Sequence, residues 1–325
     1  MHEAILHIGT EKTGSTAVQN YLLHNSAEHI KHHGILFPYQ TCGLISNFRL
    51  VLYTRSKIDT SLAQLDKNTA RIQANDRKEY QNWKTQFAAN HTKAIKHFQR
   101  TRKNSKVVYS SEHFHSRVHN KNDIQFLKSF LESMYERITI VFYVRRQDQF
   151  ALSAFNTAVQ GGRCTEMDFS AISQVIPYYD YLSLAQRWSN VFGTENVKPI
   201  IFDKNKLKDC DVTKDFEFQI GLDDSKHDLS KMKYHKSNER LSYSALQVLI
   251  EFNLIKDTDA RLKGMDKNAI RQQLVRNVHS IKDNYGTIRP ARSDVTAFYE
   301  HYKSSNEALA NTWLNGEGFS TDFSM

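Results

Sequence analysis

Residues 5–16 read Ile-Leu-His-Ile-Gly-Thr-Glu-Lys-Thr-Gly-Ser-Thr. A short apolar run ends in a glycine loop, and a helical pattern begins at once behind it. This order predicts a strand that feeds an anion-cradling loop, whose backbone N–H groups and following helix N-terminus suit a phosphate. The common nucleotide loop is G-x-x-x-x-G-K-[ST]. Gly9 and Gly14 keep that glycine spacing, but Ser15 stands where the lysine would be, and the lysine, Lys12, lies inside the loop. A lysine on the first helical turn reaches the terminal phosphates of a triphosphate. One inside the loop leans over the bound anion, near a leaving oxygen. A plain glycine turn with a solvated lysine would produce the same local pattern.

Residues 138–145 read Ile-Thr-Ile-Val-Phe-Tyr-Val-Arg, apolar on both faces, which predicts a buried central strand. It runs into Arg145-Arg146, and a helical pattern covers Gln147 to Gln160. Ser153 lies eight residues past Arg145, about two helical turns on. A forked guanidinium and a hydroxyl so placed can converge on one phosphate. Lys106 to Ser110 predicts a third buried strand, leading into Ser111-Glu112-His113-Phe114-His115. Catalytic groups in an open parallel sheet gather at the carboxyl ends of strands, so Glu112, His113 and His115 compete as the base.

Gly-x-x-Lys-Thr-Gly-Ser-Thr after a strand resembles the 5′-phosphosulfate loop of sulfotransferases that use 3′-phosphoadenosine 5′-phosphosulfate (PAPS). Tyr143-Val144-Arg145-Arg146-Gln147-Asp148, with Ser153 eight residues past the first arginine, is similar to that family's 3′-phosphate motif. Ser-Ser-Glu after the third strand resembles bacterial glycan-type members. Weaker likenesses run through Asp180-Tyr181, Arg187-Trp188, Val191-Phe192-Gly193, Asn196-Val197, residues 238–242 and 302–306, so the resemblance spans most of the chain.

The resemblance implies a P-loop-type α/β fold, with a central parallel sheet of about four to five strands flanked by helices. It also implies sulfuryl transfer from PAPS to an acceptor hydroxyl or amine, on a carbohydrate, glycan or glycolipid, with release of the desulfated donor, PAP. Gly9, Thr10, Glu11, Lys12, Thr13, Gly14, Ser15 and Thr16 would form the 5′-phosphate cradle. Arg145 and Ser153 would hold the 3′-phosphate, with a further contact from Arg271, Arg276, Arg289 or Arg292. Lys12 would stabilise the leaving oxygen. Glu112 is the favoured base, with His113 and His115 as its competitors. No metal is required by this scheme.

Composition narrows the alternatives. The 325 residues are 40% hydrophobic and 24% charged, enough apolar content for a substantial core. No apolar run reaches 18 residues, and a strand at the start leaves no room for a signal peptide or anchor. Three cysteines, Cys42, Cys164 and Cys210, lie far apart without metal-ligand spacing. Together these predict a cytoplasmic protein without disulfides or structural zinc. The net charge of +9 suits polyanions, but its dispersal along the chain argues against nucleic acid and for a multiply charged donor or acidic acceptor. A P-loop kinase remains a rival, since Asp203 follows Ile200-Ile201-Phe202, and so does a non-enzymatic polyanion-binding module. Oligomeric state is not readable.

A single domain over 1–325 is expected, with strands at 3–8, 34–37, 106–110, 138–144 and 197–202. Helices are expected at 14–31, near 121–136, at 147–160 and near 178–192, alternation that implies a parallel sheet. Residues 53–105 read as a helical insertion, helical from about Lys78 to Arg102, and an acceptor lid or an ordinary solvated helix pair. Residues 211–325 read as mostly helical, with helices around Leu246 to Asn253, Asn268 to Asp283 and 293–314. The Tyr178-Tyr179-Asp180-Tyr181 cluster reads as packing, Lys31-His32-His33 as the solvated end of the first helix, and Asp223-Asp224 as a solvated turn.

Overall fold

The computed structural model describes the chain apart from residues 44, 68, 73–75, 166, 170–177, 224–226, 235–240, 257, 279, 282–290 and 324–325, and the side chain of Tyr243. Asp224, Asn238, Glu239, Arg240, Asp283 and Arg289 therefore lie outside the described residues. Five strands form one parallel sheet: β1 (His2–His7), β2 (Ile35–Leu36), β3 (Ser105–Ser110), β4 (Arg137–Val144) and β5 (Val197–Ile201). The spatial order is β2-β3-β1-β4-β5, all neighbours parallel. The α/β class and strand count match the expectation from sequence.

β1 is therefore the central strand, with β3 on one side and β4 on the other; Ile5 pairs with Val108 and with Thr139. The chain leaves β1 toward one edge and later returns to the other, the topology at which open sheets place ligands beyond their strand ends. The residues after β1, β3 and β4 are the glycine loop, Ser111-Glu112 and Arg145, the three segments that carry the motifs. Apolar residues at both faces explain why β4 is interior: Ile140 to Val144 are all fully buried. Pro199, which cannot donate to a ladder, sits in β5 at the sheet edge.

The chain divides into two compact units. The first comprises Met1–Val144, Tyr181–Lys236 and Leu309–Glu317, and the second Arg145–Asp180, Ser237–Ala308 and Gly318–Met325. In the first unit the helix Ser15–His24 lays Val18, Tyr21 and Leu22 on Ile5, Val108, Val141 and Tyr143, with Phe216 and Ile220 closing the cluster. Alternation along the strands sends Tyr109 to the opposite face, where its hydroxyl bonds His91 Nε2 at 2.8 Å and the Tyr135 hydroxyl at 2.6 Å. Trp188, fully buried on the helix Tyr181–Phe192, meets Phe114 edge-on at 5.9 Å.

The first helix is shorter than its periodicity suggests. It ends at His24, and a short turn Ser26–Glu28 and a π-helical turn His29–His33 follow. Asn25 causes the break. Its amide donates to the Tyr21 and Lys233 carbonyls at 2.9 and 3.0 Å, and its side-chain oxygen accepts from the Lys233 N–H at 2.8 Å. A polar side chain committed to a distant segment competes with helix continuation. Lys31 and His32 are exposed, while His33 is half-buried and packs edge-on against His227 at 5.5 Å.

The expected insertion is helical. Phe48–Thr54 and Thr60–Ala63 precede a 24-residue helix, Arg77–Arg100, whose N-cap Asp76 accepts from the Glu79 N–H at 2.8 Å. Among the described residues no helix is long and apolar enough to cross a membrane.

In the second unit the helix Gln147–Gln160 packs Phe155 and Val159 against Leu246, Leu249 and Ile250 of the helix Tyr243–Ile255. Asn253, on the same face, donates to the carbonyls of Val159 and Arg163, both at 2.9 Å, which closes the end of that helix. Phe150 joins Tyr179, Phe298 and Tyr302 in an aromatic cluster, so Tyr178 and Tyr179 serve packing. Further helices run over Lys267–Val278 and Arg292–Trp313, the latter divided between the two units.

Candidate active site

The glycine loop is held both by β4 and by its own hydroxyls. Beyond β1 the pairing with β4 continues, from the Ile8 N–H to the Val141 carbonyl at 3.0 Å and from the Thr10 hydroxyl to the Tyr143 carbonyl at 2.9 Å. The Thr10 carbonyl then accepts two hydroxyls, Thr13 at 2.7 Å and Ser15 at 3.1 Å. One oxygen thus ties the start of the loop to its end. Gly14 is the N-cap at φ 81°, and no side chain caps the helix behind it. Its first N–H groups are therefore available to an anion by helix geometry. Lys12 itself sits at φ 62°, a left-handed conformation that costs a non-glycine residue about 1–2 kcal/mol.

The other wall of the site comes from β3. The Ser111 N–H donates to the His7 carbonyl at 3.0 Å, and the His115 N–H to the Ile8 carbonyl at 3.2 Å, which fixes the short helix His113–Arg117 to the end of β1. Gly9, at φ 91°, faces Glu112 so closely that a Cβ there would stand 2.7 Å from the Glu112 Cα. Only glycine permits this approach. Gln19, buried one turn beyond Ser15, donates from Nε2 to Glu112 Oε2 at 2.7 Å. The carboxylate is thus oriented beside the loop while the residue stays half-exposed. His115 is buried at 3% exposure, and His113 is half-buried.

Beneath the loop lies a layer of polar pairs. His7 Nδ1 meets the Ser110 hydroxyl at 2.8 Å, and burial pushes the His7 imidazole down to about 3, so it is neutral near pH 7. The Tyr143 hydroxyl donates to Asp215 at 2.7 Å, and burial, then the Asp215 charge, hold that phenol well above its usual range. Asn47 exchanges two bonds with Ser110, its N–H to the Ser110 carbonyl and the Ser110 N–H to its side-chain oxygen, at 2.9 and 2.7 Å. The start of the helix Phe48–Thr54 is thereby fixed to the strand that leads into Glu112.

Among the proposed loop residues, Gly9, Thr10, Thr13 and Ser15 are buried, Glu11, Lys12 and Gly14 are half-buried, and Thr16 is exposed. In this structure the Ser15 hydroxyl faces the Thr10 carbonyl, so its backbone N–H is the group presented to the loop. Sequence reasoning missed Gln19, whose signal was its position four residues past Ser15, on the same helix face. Asp203, the residue that kept a kinase in contention, accepts the Asn205 N–H at 2.9 Å in a turn.

Arg145 and Ser153 belong to the second unit. Of the tandem arginines, Arg146 is 4% exposed and committed to structure: it pairs with Asp148 at 2.7 and 3.0 Å, donates to the Ser320 and Asp322 carbonyls and lies 4.5 Å from the Phe323 ring centre. Arg145 is half-exposed, and Ser153 lies half-exposed on the helix Gln147–Gln160. Of the four further arginines, Arg271 rests over Gly162, where a Cβ would stand 2.4 Å from its Nη1, just past the end of that helix. Arg276 bonds its neighbour Gln273 at 2.7 Å. Among the described residues no three His, Cys, Asp or Glu side chains are grouped as metal ligands would be.

No family model matches the chain. A curated Archaeoglobus fulgidus protein, described only as uncharacterized, is 26% identical over 208 residues, which cover 62% of this chain and 52% of that protein. The chain spans about half the length of this curated relative. A crystal structure of a sulfotransferase from Alicyclobacillus acidocaldarius is 16% identical, with a TM-score of 0.39 over 80% of this chain and 94% of that one. The sulfotransferase domain of the Synechococcus PCC 7002 olefin synthase is 14% identical, with a TM-score of 0.30 over 93% of this chain and 94% of that one. At these scores the two likenesses add no weight to the chemistry of the site.

Proposed function

We propose that the chain is a sulfotransferase that moves a sulfuryl group from PAPS to an acceptor hydroxyl or amine and releases PAP. The observation that carries this reading is the apposition of Glu112 and the glycine loop, with Gly9 against the Glu112 backbone and Gln19 holding the carboxylate. A general base beside an anion cradle is the arrangement that in-line transfer to a hydroxyl needs. The lysine inside the loop, with Ser15 in the usual lysine position, favours a phosphosulfate over a triphosphate.

The acceptor oxygen attacks sulfur as its proton passes to Glu112, and the bond from sulfur to the bridging oxygen breaks. Charge develops on that oxygen, where Lys12 neutralises it, as in phosphoryl transfer. The N–H groups of Thr13 to Thr16 bind the 5′-phosphate. Arg145 and Ser153 bind the 3′-phosphate, with a further contact from Arg271, Arg276, Arg289 or Arg292. Glu112 is favoured over His115 because His115 is buried, and over His113, which is equally exposed, because the Gln19 amide orients the Glu112 carboxylate beside the loop. A carbohydrate, glycan or glycolipid hydroxyl is the acceptor class we favour.

Thermal shift with PAP against ATP–Mg²⁺ tests the donor. PAP at 100 times its dissociation constant should stabilise the protein by about 2.7 kcal/mol, and ATP–Mg²⁺ much less. Arg145→Ala should abolish that preference. Glu112→Gln should bind PAP normally and lose about 100- to 10,000-fold in turnover. Stabilisation by ATP–Mg²⁺ with indifference to PAP would refute the reading.

A further inference from the structure

The long helix Arg77–Arg100 carries a face that the proposed reaction does not use. Between Tyr80 and Asn122 the sequence holds nine Lys and Arg residues and a single acid, Glu112, so the net charge of +9 is concentrated in this stretch and not dispersed along the chain as expected from composition. Gln86, Asn90, Lys93, His97 and Arg100 recur at spacings of four and three, which puts them on one side of the helix. At a rise of 1.5 Å per residue the stripe is about 21 Å long.

Two concavities lie along it. One, of about 870 Å³, is lined by Lys93, Lys96, His97 and Arg100 together with Phe130 and Ser133. The other, of about 470 Å³, is lined by Arg49, Arg71, Trp83 and Gln86. Asn90 lines both, so they adjoin along one track. Their electrostatics differ. Arg49 pairs with Asp66 and Arg71 with Glu79. Lys93, Lys96, His97 and Arg100 are exposed, and none pairs with an acid among the described residues. The opposite face of the helix is fixed: His91 bridges Thr41 and Tyr109 at 2.8 Å each, and Gln99 donates to the Met134 carbonyl at 2.9 Å. The basic stripe is therefore presented from a rigid support.

We propose that this face binds a linear acidic polysaccharide. Its length fits a polymer better than a small molecule. Uncompensated cations select an anionic chain, and the Gln86 and Asn90 amides with the Ser133 hydroxyl offer bonds to sugar hydroxyls between the charges. Single-stranded nucleic acid would also need open aromatic platforms. In the basic half, the Phe130 ring is instead packed against Tyr53 and His91, at 4.6 and 6.0 Å between ring centres.

The test is fluorescence anisotropy of a labelled polygalacturonate oligomer with the full chain at 50 and 200 mM salt. Three fixed cations on a single-stranded polyanion give a log–log salt slope of about −2, or about a 15- to 20-fold loss of affinity between those conditions. Lys93→Gln/Lys96→Gln/Arg100→Gln should weaken binding at least about tenfold and flatten the salt dependence. Uncharged dextran should not compete. All three positions are exposed, so the variant should fold, and Lys96→Glu alone supplies a milder second variant. Absence of binding at 50 mM salt, or equal binding by both variants and the parent, would overturn the proposal. So would tighter binding to poly(dT) or to phosphatidylglycerol vesicles. The sulfotransfer reading stands or falls separately, because stabilisation by PAP reports the donor alone.

Discussion

Gly9→Ala probes the contact on which the proposed chemistry depends. Two costs are readable from the structure. The backbone at φ 91° is a conformation that an alanine adopts at about 1–2 kcal/mol. The new Cβ would also stand 2.7 Å from the Glu112 Cα and 3.1 Å from its Cβ, against ordinary carbon–carbon separations of about 3.5–4.0 Å. Backbone stands on both sides of that overlap, so no flexible side chain can swing away. Either the loop or Glu112 must move by roughly 1 Å, an overpacking cost of about 1–3 kcal/mol. Gly264→Ala isolates the first cost, since Gly264 has φ 80° with nothing within 4 Å of its would-be Cβ.

Urea denaturation of the parent and both variants should therefore place Gly9→Ala about 1–3 kcal/mol below Gly264→Ala. A displacement of 1 Å between loop and base should lower turnover about 100-fold, while Gly264→Ala leaves it unchanged. If Gly9→Ala matched Gly264→Ala in stability and kept parental turnover, the apposition of Glu112 and the loop would carry no chemistry.

Lys12→Gly should separate stability from function: relief of the left-handed backbone at φ 62° should raise stability by about 1 kcal/mol, while turnover falls about 100- to 1000-fold, read by urea melts and transfer from labelled PAPS. Gln19→Leu should lower turnover about tenfold without changing PAP affinity, because it frees the Glu112 carboxylate and leaves the loop intact; an unchanged kcat would remove Gln19 from the site. Burial holds His7 near 3 and His29 and His91 near 4, below the ordinary 6.5 of the unfolded chain. Between those limits the unfolded state binds more protons, so the stability these neutral imidazoles support is present above pH 6.5 and lost as pH falls toward 4 and 3. Each should contribute a slope of about 1.4 kcal/mol per pH unit in that window, and a urea midpoint constant from pH 6.5 to 5 would refute the assignment.

Much of the fold was legible because local and global signals agree. The apolar run of β4 can only be interior, and the strand–glycine–helix order at residues 5–16 fixes a parallel crossover with an exposed loop. The helix 147–160 was placed to the residue, since its amphipathic period is bounded by Arg146 and Gly161. The first helix was overextended because its stop is Asn25, whose partner lies at Lys233. No local pattern announces a bond across that separation. The start of the helix after Asp180 was set early for a related reason: Tyr178 lies three residues before Tyr181, a helical spacing, but Tyr178 and Tyr179 are drawn into an aromatic cluster with Phe150 and Phe298.

The same division runs through the site. Residue order along the chain decided that a glycine loop would follow β1 and that Glu112 would follow β3, because short continuous apolar runs and glycine punctuation are properties of neighbouring residues. Which strands lie side by side was settled by packing: β1 is central and hydrogen-bonded to both β3 and β4, although about 100 residues separate it from the nearer one. Folding also gives chemically similar residues different surroundings, turning Arg146 inward to Asp148, burying His115 and leaving Glu112 half-exposed under the Gln19 amide. Exposure and orientation are set by atoms that arrive from elsewhere in the chain, and no reading of adjacent residues contains them.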